Sequence, residues 1–366
     1  MRCFTGLVML TMLFSPAYAE EPEIAEPVNI ELHSKPGEIT SVTLSGDAGA
    51  TGHPVNIDMP VRIASISKLV TALGVMRLVD QGRLDLDRDV SNYLGWPVRN
   101  PAFPDVPVTL KMLLSHTASL TDAAGYYLPL DGDLQALLSD PEAWDSVHPP
   151  GSGYFHYANS ASPIIAAVME SVTGQRFDAI MQQEVFDPLR LQACFNWSGC
   201  SAEQRANAIT LLRPDGSLAK DPILGEGEEE CAFVSAGDGR CDLALYRLGQ
   251  NGSSFSPQGG LRISARELEI IGKLLVEDDK NFLSDATWQM MRETQWRADA
   301  SVDASAPRQW ALGLEVQSGG WIGHSGNAYG LRAGLWANRQ TGEVRVRIVT
   351  MVDEAAPEGP CLHSCP

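Results

Sequence analysis

The stretch Arg62-Ile-Ala-Ser-Ile-Ser-Lys-Leu-Val-Thr-Ala-Leu-Gly-Val-Met-Arg-Leu-Val-Asp-Gln-Gly82 reads as one amphipathic helix closed by a glycine. A hydroxyl, Ser65, stands at its start and a lysine, Lys68, one turn on. Residues three apart on a helix are neighbours, so the Lys68 amine can reach the Ser65 hydroxyl. A serine hydroxyl is a poor nucleophile until a base takes its proton, and a lysine whose charged form burial disfavours can be that base. The first helical turn adds free backbone N–H groups and the positive end of the helix dipole, which stabilise negative charge near the serine. S-x-x-K alone also occurs in many helices whose lysine simply reaches water, so the reading depends on what else the chain carries.

The chain of 366 residues opens with Arg2, an apolar run from Leu7 to Phe14, and Ala17-Tyr-Ala19 ahead of the acidic pair Glu20-Glu21. That layout is expected of a cleavable secretory signal over residues 1–19, too short to span a membrane and ending in small-x-small. No later apolar run is long enough for a transmembrane helix, so no membrane anchor is expected and the protein is placed in the periplasm or outside the cell. A formal charge of −19 argues against nucleic acid and anionic lipid surfaces as partners. The oligomeric state is not legible.

After Cys3, six cysteines fall in close pairs: Cys194 with Cys200, Cys231 with Cys241, and Cys361 with Cys365. In an oxidising compartment they read as three local disulfides, although six cysteines allow about 15 pairings. A zinc site fits the spacings poorly, because there is no C-x-x-C ladder and no histidine at ligand distance. Neither a metal nor a cofactor is expected.

Ile39-Thr-Ser-Val-Thr-Leu44 alternates as a strand, and Leu331 to Val352 holds two more, hinged at Gln340-Thr-Gly-Glu343. Between these ends helical signals dominate: Thr109 to Thr117, Ser160 to Val172 with Gly174 as a stop, and Phe177 to Phe186 before Pro188. Ser264-Ala-Arg-Glu267 is a capping box opening another helix that runs to about Leu275. The expected fold is α+β: an antiparallel sheet flanked by helices and built from both chain ends, with a mainly helical insert. Residues 20–90 and 255–366 would form the α+β lobe and 91–254 the helical lobe, with helix 65–82 at the seam. Ser198 to Gly260 reads as loops, and Glu226-Gly-Glu-Glu-Glu230 within it as a solvated face.

Two further stretches bear on Ser65 and Lys68. Pro150-Gly-Ser-Gly-Tyr-Phe-His-Tyr-Ala-Asn-Ser160 contains Tyr157-Ala-Asn159, and Gly323-His-Ser-Gly-Asn-Ala-Tyr-Gly330 contains His324-Ser-Gly326. With S-x-S-K these resemble the ordered motifs of the serine β-lactamase and penicillin-binding superfamily, in the branch of class C β-lactamases, DD-peptidases and related esterases. Leu114-Ser-His-Thr-Ala-Ser-Leu120, Phe186-Asp-Pro-Leu189 and Gly259-Gly260 add to the likeness, which spans roughly residues 55 to 350.

The resemblance implies an exported serine hydrolase that acts on small-molecule or peptide esters or amides through an acyl-enzyme at Ser65. By it Lys68 shares the proton, Tyr157 is the partner base and the acid for the leaving group, and Asn159 bonds Lys68 and the substrate. A nearby ammonium would favour the Tyr157 phenolate. Gly326 would let substrate lie against its strand, and the N–H groups of Ser65 and Asn327 would form an oxyanion hole. Two positions depart from the family pattern. His324 stands where many class C enzymes have lysine, and an imidazole is largely neutral at neutral pH, which weakens carboxylate recognition. Ser325 keeps the hydroxyl of the family's threonine and with it a hydrogen bond to substrate; together with His324 this tilts the balance from β-lactamase toward esterase, amidase or D-amino-acid peptidase. Ser119 replaces a usual glycine and bears on a turn. His116 and His156 read as loop braces.

Two rival readings remain. Gly323-His-Ser-Gly-Asn327 is a poor nucleophile elbow, since asparagine replaces its last glycine. A penicillin-binding sensor that acylates and stalls would carry the same motifs without turnover.

Overall fold

The computed structural model describes residues 26–46, 54–220, 231, 233–298 and 309–353. The expected leader 1–19, the Cys361–Cys365 pair and the acidic run Glu226–Glu230 lie outside the described residues.

An eight-stranded antiparallel sheet takes strands from both ends of the chain. Its order is Glu38–Ser45, Asn29–Lys35, Val344–Val349, Leu331–Asn338, Trp321–Ala328, Glu315–Val316, Gln309–Trp310, Trp296–Arg297. The chain ends meet where Asn29–Lys35 pairs with Val344–Val349, placing Ile30 opposite Ile348 and Leu32 opposite Val346. Period-2 alternation puts Val344, Val346 and Ile348 inside and the arginines between them toward solvent. Leu331–Asn338 is buried on both faces, because helices cover the sheet on either side.

The capping box at Ser264 forms, with Ser264 accepting from the Glu267 N–H and Glu267 from the Ser264 N–H. The helix it opens, Ala265–Glu277, packs across the three strands that join the chain ends. On the other side lies Ile66–Asp80, which differs from the expectation of an amphipathic helix. All but three of its fifteen residues are buried, polar Ser67, Lys68 and Thr71 among them. It runs between the sheet and the helices Ala161–Thr173 and Phe177–Met181, so no face is left for water. Gly74 permits that crossing: a Cβ there would lie 2.7 Å from the Met181 sulfur.

Gly174 ends Ala161–Thr173 in the left-handed region at φ 70°, as a helix C-cap asks. Pro188 does not terminate the run from Phe177. The helix widens to a π turn over Gln182–Phe186, and Pro188 sits in the first positions of a last turn, Asp187–Leu189. The π turn lets the run continue through a proline that has no N–H to give. Between Ser198 and Gly260 the described chain is mostly loop, with the short helix Ala202–Ala206 and one short hairpin, and the disulfides Cys194–Cys200 and Cys231–Cys241 brace it. Among the described residues no helix is long and apolar enough to cross a membrane.

Candidate active site

The strand Val61–Arg62 turns into the Ile66–Asp80 helix within three residues. Ala64 takes a left-handed φ of 48° to make the corner, and Ser65 follows at the N-cap. The second hydroxyl of S-x-S-K explains itself here. Ser67 Oγ donates to the Ala64 carbonyl at 2.6 Å and accepts from the Leu261 N–H at 3.1 Å, tying the corner to the neighbouring strand Leu261–Ile263.

Lys68 Nζ lies 3.0 Å from Ser65 Oγ, 2.7 Å from Asn159 Oδ1 and 3.0 Å from the Gln258 carbonyl oxygen. Three acceptors satisfy its three donor positions. Burial pulls its pKa down from 10.5 to about 7, against the charge of Asp122, which raises it. Half-neutral near neutrality, it can accept a proton from the hydroxyl beside it.

Asn159 is held from behind. Asp122 Oδ2 accepts from its backbone N–H at 3.0 Å and from its side-chain amide at 2.9 Å, and Asp122 Oδ1 accepts from the Ser160 N–H at 2.9 Å. The amide oxygen is thereby turned toward Lys68.

Tyr157 bonds the Ser65 side chain, and its ring centroid is 4.8 Å from Lys68 Nζ. The expectation that an ammonium would favour its phenolate is not met. Burial dominates, the charges of Glu315 and Asp122 add to it, and the pKa is driven well above the ordinary phenol range. The group beside Ser65 is a neutral phenol. His116 braces it as expected, with ring centroids 4.4 Å apart. His116 Nδ1 accepts from the Ala158 N–H at 3.3 Å, and burial holds its pKa well below the usual value. His156 is exposed.

His324, Ser325, Gly326 and Asn327 lie on the strand Trp321–Ala328, next to this helix start. His324 is buried, and its pKa falls from 6.5 to about 3 through burial and the charge of Lys68. The imidazole is thereby neutral near neutral pH. Ser325 Oγ donates to Glu315 Oε1 at 3.0 Å. Gly326 meets a different need from the one its motif suggests. A Cβ there would lie 2.3 Å from the Ile63 carbonyl oxygen, so the backbone that approaches it is this chain's own Ile63-Ala64 corner. Ser119, in the position the family gives to glycine, adopts φ 63°. Its hydroxyl accepts from Asn100 and donates its one proton to the His148 carbonyl at 2.5 Å, with the Asp145 carbonyl oxygen 3.1 Å away, which holds the turn in that conformation.

Several of these side chains share one cleft of about 520 Å³. Ser65, Tyr157, Asn159, His324, Ser325 and Asn327 line it, with Trp310, Phe155, Tyr126 and Tyr329 supplying apolar wall. Sequence reasoning missed Asp122, Glu315, Trp310 and the Gln258 carbonyl. Asp122 had a faint signal, two residues past the Leu114–Leu120 motif. The others acquire their partners only through the fold.

The Beta-lactamase family model matches residues 40–359. The chain belongs to the Beta-lactamase family. Relatives within reach include Esterase EstB of Burkholderia gladioli, 32% identical over 168 residues, or 39% of this chain and 40% of that protein. Penicillin-binding protein 4* of Bacillus subtilis (strain 168) is 28% identical over 142 residues, or 37% and 30%. The chain thus aligns with less than half the length of these relatives. The octameric penicillin-binding protein homologue from Pyrococcus abyssi superposes with a TM-score of 0.66 at 19% identity, covering 90% of this chain and 70% of that one. D-amino acid amidase from Ochrobactrum anthropi SV3 superposes at 0.64 and 18%, covering 91% and 89%. At these identities the likeness is one of fold, and that fold is the Beta-lactamase family's antiparallel sheet between helices.

Proposed function

We propose that the chain is an exported serine hydrolase that cleaves small-molecule or peptide esters or amides through an acyl-enzyme on Ser65. The observation that carries the proposal is a lysine poised near pKa 7 with its amine 3.0 Å from the Ser65 hydroxyl. The two disulfides support a place in the periplasm or outside the cell.

Neutral Lys68 takes the proton of Ser65 as Oγ bonds to the carbonyl carbon. The carbonyl oxygen takes up negative charge, toward which the N–H groups of Ser65 and Asn327 are assigned; such a donor contributes about 3 kcal/mol. As the tetrahedral centre collapses, the neutral Tyr157 phenol gives its proton to the leaving oxygen or nitrogen and recovers one from the Lys68 ammonium. Asn159, fixed by Asp122, keeps the ammonium aligned during this relay. Water then adds to the acyl carbon, its proton passing to Lys68, and Ser65 leaves protonated.

Neutral, buried His324 offers no positive charge to a substrate carboxylate, which disfavours β-lactams and peptides with a free C-terminus. The test is a panel of short-chain nitrophenyl esters, a chromogenic cephalosporin and D-alanyl amides, run on wild type and Ser65→Ala. Ester hydrolysis abolished by the substitution, with slow or no cephalosporin turnover, is the expected result. Fast cephalosporin hydrolysis would make the chain a β-lactamase proper. A burst without turnover on every substrate would make it a penicillin-binding or sensor module.

A further inference from the structure

Both disulfides among the described residues close loops on the cleft. Cys194–Cys200 encloses Asn196 and Trp197, Cys231–Cys241 encloses Phe233 and Val234, and all four enclosed residues line it. The two loops are anchored differently. Asn196 is fixed independently of its disulfide: its N–H donates to the Gly260 carbonyl at 3.0 Å, its side-chain amide donates to the Ser254 carbonyl at 2.8 Å, and its amide oxygen accepts from Arg262 at 2.9 Å. Residues 233–241 belong to no helix or strand. Phe233 makes a T-shaped contact with the buried Phe255 at 5.3 Å, and two hydrogen bonds tie the loop to residues 126–131. The Leu130 N–H donates to the Val234 carbonyl at 2.9 Å, and the Gly237 N–H to Asp131 Oδ1 at 3.0 Å. An irregular loop with such ties keeps much conformational freedom to lose, and a cross-link across ten positions removes part of it.

What this loop holds in place is apolar and reachable. Val234 is 45% exposed and Tyr127, across the hydrogen bonds to residues 126–131, is 62% exposed. Tyr126 and Phe233 are half-buried, with the Tyr126 and Tyr127 rings 5.2 Å apart. These four side chains line the same cleft as Ser65. Single exposed apolar residues are ordinary, but several lining one cleft with a reactive group mark where a ligand buries its own apolar surface.

We propose that the Cys231–Cys241 disulfide positions Phe233 and Val234 as the cleft wall that selects ligands by the size of an apolar group, so that esters or amides with a long or bulky apolar chain are preferred to small ones. Phe233 and Val234 touch that chain, and the cysteines act through them as positioning residues. As a statement about substrates it rests on the serine-hydrolase reading above; as a statement about binding it does not.

The test separates the two readings. The full chain carrying Ser65→Ala is titrated calorimetrically with methyl butanoate, methyl octanoate and octyl acetate, the last two placing the long chain on opposite sides of the scissile bond. At least one long ester is expected to bind at least about tenfold more tightly than methyl butanoate, through the apolar surface it buries. Adding Cys231→Ser and Cys241→Ser is expected to shrink that ratio at least about fivefold, whereas a merely structural disulfide would weaken all three esters alike. Equal binding of the three esters, or a ratio that survives loss of the disulfide, would overturn the proposal. Val234→Asp, at an exposed position and with the disulfide intact, is expected to narrow the same ratio; a ratio it leaves untouched would overturn the proposal whether or not the serine variant folds. Wild-type turnover of a nitrophenyl ester is measured alongside. Its absence with the binding ratio intact would remove the hydrolase reading alone, and its presence without that ratio would remove the clamped wall alone.

Discussion

The Lys68 amine is held 3.0 Å from the Ser65 hydroxyl in surroundings that draw its pKa down to about 7. Burial lowers the charged form's stability, and the charge of Asp122 partly restores it. On the proposed mechanism the lysine can therefore serve as the base near neutrality without a histidine.

That balance fixes a pH profile. With neutral Lys68 as the active form, kcat/KM on an uncharged ester should rise with pH through about 7 and level off above it. Lys68→Arg, which cannot release its proton, should lower activity on the order of a thousandfold. Stability follows the same group. Between about 7 and 10.5 the unfolded chain holds this proton and the folded chain does not, so the contribution of Lys68 to stability rises with pH across that window. Below about 7 its burial cost is fully present. A rate profile flat from acid to neutral pH would remove Lys68 as the base.

Asp122→Asn should act on Lys68 without touching substrate. One amide oxygen must replace two carboxylate oxygens that accept three N–H groups, from Asn159 twice and from Ser160. The cost in urea unfolding should be on the order of 1–3 kcal/mol. Removing the negative charge lowers the Lys68 pKa further, so the acid limb of the rate profile should move to lower pH. A merely structural role would lower stability and leave that limb in place.

Gly326→Ala should be destabilising although a methyl group is small. Its Cβ would fall 2.3 Å from the Ile63 carbonyl oxygen, and the corner that would yield carries Ala64 and Ser65. Overpacking of this kind costs about 1–3 kcal/mol. Urea unfolding should show that loss, and ester hydrolysis should fall with it. Unchanged stability would mean that strand and corner are further apart than described.

The chemistry was legible where it is local. S-x-S-K sets Ser65 and Lys68 on one helix turn, whereas Tyr157-Ala-Asn159 and His324-Ser-Gly326 are picked out only by their likeness to the family's ordered motifs. The sheet ends at Ile39–Leu44 and Leu331–Val352 were legible too, because period-2 alternation and a polar hinge survive in any context. Burial was not. The apolar run after Ser65 reads as one face of a helix, yet the helix is enclosed on all sides once the sheet and two helices close on it. Desolvation also reversed the expected effect on Tyr157, whose neighbouring ammonium is outweighed by its loss of water. Glu315 lies ten residues before Ser325 and meets its hydroxyl only when their strands pair. No local pattern announces that.

The central claim, that Ser65 is the atom acylated, is tested most directly by labelling with a phosphonate ester, whose phosphorus takes the place of the carbonyl carbon. Intact-mass analysis and peptide mapping of the full chain should show one adduct, on the peptide bearing Ser65, and none in Ser65→Ala. An adduct on Ser325, or ester turnover undiminished in Ser65→Ala, would contradict the account.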